Sequence, residues 1–158
     1  ARAQEPKSAA GARELVKVLA AKKADAVAVR APDSPDTFFS ALVFPSQIIV
    51  FAAKYTAPPL LNEKLARSEY REVYIELNSA SVIDSRFSVT DLGADGLRSK
   101  PAKRNEPFDV RYLAGKTFNF DGNWREDKMS EADYMKEHAE ADARYALILT
   151  ALLGEAKK

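Results

Sequence analysis

Two β-rich runs, Thr37–Phe44 and Gln47–Tyr55, are separated only by Pro45-Ser46, and this spacing constrains the fold more than any other feature of the chain. Two residues can reverse an antiparallel pair, whereas a parallel pair needs a crossover of about a dozen residues. The runs therefore form a hairpin. Its second strand carries Ile48-Ile49-Val50-Phe51, apolar at successive positions and so on both faces, which places it in the centre of a sheet covered on both sides. A chain of 158 residues can supply that cover, since a domain of this size buries roughly 68–70% of its unfolded surface.

The remaining segments build around the hairpin. Residues 1–8 read as a polar leader and residues 9–158 as one domain. Ser8 is placed to cap a helix in which Ala12, Leu15, Val18 and Leu19 recur at helical spacing, with Lys22 and Lys23 where the dipole favours cations. Ala26–Ala31 is a strand stopped by Pro32. Pro58-Pro59 suits the first turn of a short helix carrying Leu61, Leu65 and Ala66, and Val73, Ile75 and Leu77 alternate with Glu72, Tyr74 and Glu76 in a half-buried strand. Further strands are expected at Ser85–Leu92, Phe108–Leu113 and Lys116–Phe120, with a loop over residues 97–107. Asp121-Gly122, followed by Asn123–Glu126, predicts a two-residue hairpin turn. A long last helix is capped by Ser130 with Asp133, and its stripe is Tyr134, His138, Ala141, Tyr145, Ile148, Leu149 and Leu152. The sum is an antiparallel α+β domain whose closely spaced strands could curl into a small barrel with flanking helices.

Charge and composition narrow the function. Lys and Arg number 24 against 23 Asp and Glu, a net charge of +1 with the signs interleaved, so no general field gathers nucleic acid or an anionic membrane. The longest nearly apolar run, Tyr145–Gly154, is far short of the roughly 20 residues that cross a bilayer. Ala1-Arg2-Ala3-Gln4 resembles the small-residue end of a secretory signal, which gives the expectation of a bacterial protein in the periplasm or secreted, with the cytoplasm as the alternative. The chain has no Cys, which removes disulfides, thiolate nucleophiles and zinc-thiolate sites.

Three groups of residues are candidates for chemistry. His138, the one histidine, stands one helical turn before Asp142 and could pair with it for acid–base work or a metal; its place in the core-facing stripe predicts a packed histidine instead. Asn119, Asp121, Asn123 and Asp127 offer oxygen ligands, but without the Gly at position 6 and Glu at position 12 of a calcium loop they read as a turn. Arg98, Lys100, Lys103 and Arg104 form the densest basic stretch, fit for a phosphate or an acidic partner, although Asp95 and Glu106 dilute it into a solvated loop. The chain has no Gly-x-Ser-x-Gly elbow and no glycine-rich phosphate loop.

From residue 9 to residue 92 the element order of helix, strand, hairpin, crossover helix and returning strand resembles the flavin-binding split-barrel superfamily, the pyridoxamine-phosphate-oxidase-like fold. The stretch Gln47–Leu65 followed by Arg71–Leu77 carries the likeness. The resemblance implies a split barrel, pairing into a homodimer, and flavin mononucleotide held through its phosphate after the strand that ends at Tyr55. Here the sequence has Lys54, Tyr55 and Thr56, which become the cofactor-binding candidates, followed by Ala57-Pro58-Pro59-Leu60, where the prolines supply no N–H. The function expected is a binding or structural module without a catalytic centre, with a flavin-dependent oxidoreductase as the alternative.

Overall fold

The computed structural model describes residues 5–34, 37–55, 82–103, 106–113, 116–126 and 128–158. It is an α+β protein: α1 (Ala9–Ala21), β1 (Ala26–Arg30), β2 (Thr37–Phe44), β3 (Gln47–Tyr55), β4 (Val82–Leu92), β5 (Asp109–Leu113), β6 (Lys116–Phe120) and α2 (Glu131–Ala156). The six strands form one antiparallel sheet in sequence order, with β1 and β6 as its edges among the described residues. In this form the sheet is open. The short helix expected after Pro58-Pro59 and the strand expected at Arg71–Leu77 lie outside the described residues.

The β2–β3 hairpin has the register its spacing requires, from Phe44 opposite Gln47 to Thr37 opposite Lys54. β2 is buried on both faces. Phe39, Ala41 and Val43 join Ile48, Val50 and Ala52 of β3 and Phe87 and Val89 of β4 in the core under the helices. Phe38, Ser40 and Leu42, pointing the other way along the strand, are also buried.

Onto the core face α1 lays Ala12, Leu15 and Leu19, and α2 lays Tyr134, Ala141, Tyr145, Ile148, Leu149 and Leu152. The helices touch closely at Gly11, where a Cβ would stand 3.2 Å from that of Leu149. Each Leu, Ile or Tyr buried in this way stabilises by about 1.5–3 kcal/mol. That term holds α2 down but fixes its axial position only loosely, because burial is non-directional. Among the described residues no helix is long and apolar enough to cross a membrane.

Two local expectations need correction. Asp121-Gly122 does not reverse a hairpin: β6 pairs with β5, Leu113 opposite Lys116, and residues 123–126 form turns that lead to α2. Gly122 does take a left-handed conformation, φ +81°. Its N–H donates to the Tyr134 hydroxyl at 2.9 Å. The Asn123 N–H, which would close a two-residue hairpin on the Phe120 carbonyl, goes to Asp121 Oδ1 instead, and Trp124 and Met129 pack against the core. Ser8 stands at the N-cap of α1 without capping it, because its hydroxyl is engaged by Asp142 and Leu97. Lys22 at the end of α1 reaches across to the Lys158 carbonyl, 2.8 Å away. Ser130 does cap α2, accepting from the Asp133 N–H at 3.1 Å.

Candidate functional site

The polar residues of the core converge on the segment that leaves β4, Asp91-Leu92-Gly93-Ala94-Asp95-Gly96-Leu97-Arg98-Ser99. Three of its residues are left-handed: Gly93 (φ +89°), Ala94 (φ +53°) and Gly96 (φ +100°). At Gly96 the requirement for glycine is doubled, since a Cβ there would lie 2.8 Å from the Cα and N of Ala9. Curling in this way turns successive N–H groups inward, where two buried carboxylates receive them. Asp91 accepts from Asp95 at 3.3 Å and Gly96 at 2.9 Å. Asp109, at the start of β5, accepts from Leu92 and Arg98, each at 2.8 Å.

The facing helix supplies one polar side chain per turn, to this segment or to residues 7 and 8 beside it. Tyr134 Oη donates to the Ser99 carbonyl at 2.5 Å. His138 Nε2 lies 2.7 Å from the Leu97 carbonyl, a contact that puts a ring proton on Nε2. Asp142 accepts from Ser8 Oγ at 2.6 Å and from the Ser8 and Lys7 N–H groups, while Ser8 Oγ accepts from the Leu97 N–H at 2.8 Å. Tyr145 Oη donates to Asp91 Oδ2 at 2.7 Å. Positions 134, 138, 142 and 145 follow helical spacing and share a face. They are directional, so they fix the axial seating that apolar burial leaves loose.

Aromatic rings enclose the upper end of this ladder. Tyr134 packs within ring-contact distance of Phe118, Phe120 and Trp124, and His138 stands edge-on to Phe120 at 5.4 Å. The electrostatics follow from burial. Desolvation pushes Asp91 up to about 6, against the lowering effect of the Tyr145 and Gly96 hydrogen bonds. It pushes Asp109 up to about 7, against the Arg98 N–H and with help from the neighbouring charge of Asp91. The Tyr145 phenol is raised by burial and by Asp91. Nearby cations are directed elsewhere: Arg98 binds Asp95 through Nε and Nη2, and the buried Arg111 binds Glu137 at 2.7 Å. Burial lowers Arg144, whose guanidinium lies over the Phe87 ring at 4.5 Å.

The residues singled out from sequence are not brought together. His138 and Asp142, an expected pair, each serve a different part of the segment and its neighbours. Lys54 and Tyr55 end β3, opposite Asp84 and Val82, where the ladder register is irregular; Thr56 lies outside the described residues. In the basic loop Arg98 is held by Asp95 and Lys100 and Lys103 are exposed, and Arg104 lies outside the described residues. Asp121 Oδ1 accepts from the Asn123 N–H at 2.9 Å within its turn; Asp127 lies outside the described residues. Among the described residues no group of three or more His, Asp or Glu is placed to hold a metal ion. The pair Asp91 and Asp109 went unnoticed in the sequence, although Phe87, Val89 and Asp91 alternate onto one strand face and so put a carboxylate at an apolar position.

A second concavity lies apart from this crossing, where the end of α1 meets the β2–β3 turn. It is a half-open apolar groove of about 390 Å³ lined by Val16, Leu19, Ala20, Val43 and Phe44, with Asp25 beside them. No family model matches the chain, and neither a curated protein nor a solved structure matches it.

Proposed function

We propose that this chain is a binding module without a catalytic centre, whose ligand is a small apolar molecule held in the groove between α1 and the β2–β3 turn. One observation carries the reading: the side chains best equipped for acid–base work, His138, Tyr134, Asp142 and Tyr145, are each committed to main-chain groups or to the carboxylate that holds them. The groove, in contrast, is a concavity of ligand size walled by apolar side chains. The reading also takes in a protein that works outside the cytoplasm, a sheet that closes toward a split barrel, and pairing into a homodimer. Barrel closure and pairing rest on the family resemblance alone, and mass in solution checks the pairing.

A thermal-shift titration tests the module with an apolar naphthalene sulfonate probe, flavin mononucleotide, riboflavin, haem and divalent metals. Binding preferential to the folded state stabilises by about 2.7 kcal/mol at a hundredfold excess over Kd. The module predicts a concentration-dependent shift with the apolar probe that Ala20→Leu, which fills the groove, abolishes. A probe shift that survives Ala20→Leu removes the groove from the account.

The oxidoreductase reading is favoured by one observation, the register irregularity between Ala52, Lys54 and Tyr55, because bulged strands re-aim side chains next to sites. The donor set there fits a flavin phosphate poorly. One cation and two hydroxyls precede Ala57-Pro58-Pro59-Leu60, and two of those four positions have no N–H for a dianion. A yellow protein, or a thermal shift with flavin mononucleotide, would install this reading in place of the module.

A further inference from the structure

The register of β4 and β5 runs from Phe87 opposite Leu113 to Thr90 opposite Val110, so the next facing positions are those of Asp91 and Asp109. Directly opposed residues on one face of an antiparallel pair have Cβ atoms about 4.5–5.5 Å apart, and like charges there repel. These two carboxylates are 0% and 3% exposed, on the same face as Val89 and Arg111. Among the described residues every polar contact they make is with a donor: four main-chain N–H groups and the Tyr145 hydroxyl.

Charged groups come close from each packed element, yet among the described residues no cation contacts either carboxylate. In the segment itself Asp95 adds a third negative charge, and the Arg98 guanidinium is bound to Asp95, acting on the pair only through space. From β5, Arg111 turns to Glu137. From α2, His138, Asp142 and Arg144 are committed to Leu97, to Ser8 and to the Phe87 ring. Two ionised carboxylates in this place would be desolvated like charges without a counter-ion, the situation in which a pair retains a proton.

We propose that Asp91 and Asp109 are a proton-binding pair, sharing one proton near neutral pH, and that this proton helps hold the 91–99 segment against α2. The sign is opposite to that of an ordinary ion-paired carboxylate. Both groups bind protons more tightly in the folded chain than in the unfolded one, where they titrate near 3.8. Their contribution to stability is therefore full below that value and is lost as pH rises through about 6 and about 7. The segment is linked through Ser8 Oγ to the start of α1, so the same titration loosens the seating of Lys7 and Ser8 on Asp142.

The test is a carbon-detected NMR titration of Asp side-chain carboxyls in the full chain, paired with thermal unfolding across the same pH range. The expected result is two carboxyls with midpoints well above the ordinary aspartate value of about 3.9. Asp91→Asn should lower the Asp109 midpoint by removing its neighbour's charge. Tyr145→Phe should raise the Asp91 midpoint by removing a donor to the carboxylate. Tm should rise as pH falls from about 8 to about 5, and the rise should shrink in Asp91→Asn. Wild-type protein in which every Asp carboxyl titrates in the ordinary range, with Tm flat across that interval, overturns the proposal without any variant having to fold.

Discussion

The two halves of the α2 interface are held by different physics. Toward its C-terminal end the helix meets α1 and the sheet through Ile148, Leu149 and Leu152, side chains with no polar atom to satisfy. Toward its N-terminal end it meets the 91–99 segment through Tyr134, His138 and Tyr145 and the adjoining Ser8 through Asp142, each hydrogen-bonded at 2.5–2.7 Å to a fixed partner. The apolar half stabilises through area, which tolerates small rearrangement. The polar half stabilises little per bond, but an unmade partner there is expensive. A helix seated in this way gains its adhesion from one half and its register from the other.

Substitutions can break that contrast, beginning with the largest effect. Phe87→Ala empties a fully buried ring position between sheet and helix and should cost about 3–5 kcal/mol by denaturant unfolding, with the same cost at every pH. Asp142→Ala strands three donors from Lys7 and Ser8 and should cost about 2–3 kcal/mol, although it removes less apolar surface than Phe87→Ala does. Tyr145→Phe keeps the ring and deletes one hydrogen bond, about 1.5 kcal/mol, and this cost should change with pH because its partner is Asp91. At the small end, Lys103→Ala on the exposed loop should stay within about 0.5 kcal/mol in the same assay. If Asp142→Ala proved as mild as Lys103→Ala, the polar half would be decoration on an apolar interface.

What could be read from the sequence divides along the same line. The apolar half was legible because periodicity is local: Ile48–Phe51 announced a central strand, and the spacing of Tyr145, Ile148, Leu149 and Leu152 announced the buried stripe. The β2–β3 hairpin was legible for the same reason, with Pro45-Ser46 leaving one topology. The polar half was hidden because its partners are distant main-chain atoms. Asp142 meets residues 7 and 8, and His138 meets the carbonyl of residue 97, contacts that no spacing rule encodes. His138 and Asp142 are four apart and invite pairing, yet each finds a nearer main-chain group in the fold. Asp121-Gly122 misled because a left-handed glycine serves many turns, and Asp121 Oδ1 claims the Asn123 N–H that a two-residue hairpin would have given to the Phe120 carbonyl.

Native-state hydrogen exchange of the amides of Leu92, Gly96, Leu97 and Arg98 tests the central claim most directly, since each donates to a carboxylate or to Ser8 within the crossing. These loop amides should be protected to nearly the same degree as those of Ala41 and Val50 in the central hairpin, opening only with the whole domain. Exchange as fast as that of the exposed Lys103 would contradict it and return the segment to an ordinary surface loop.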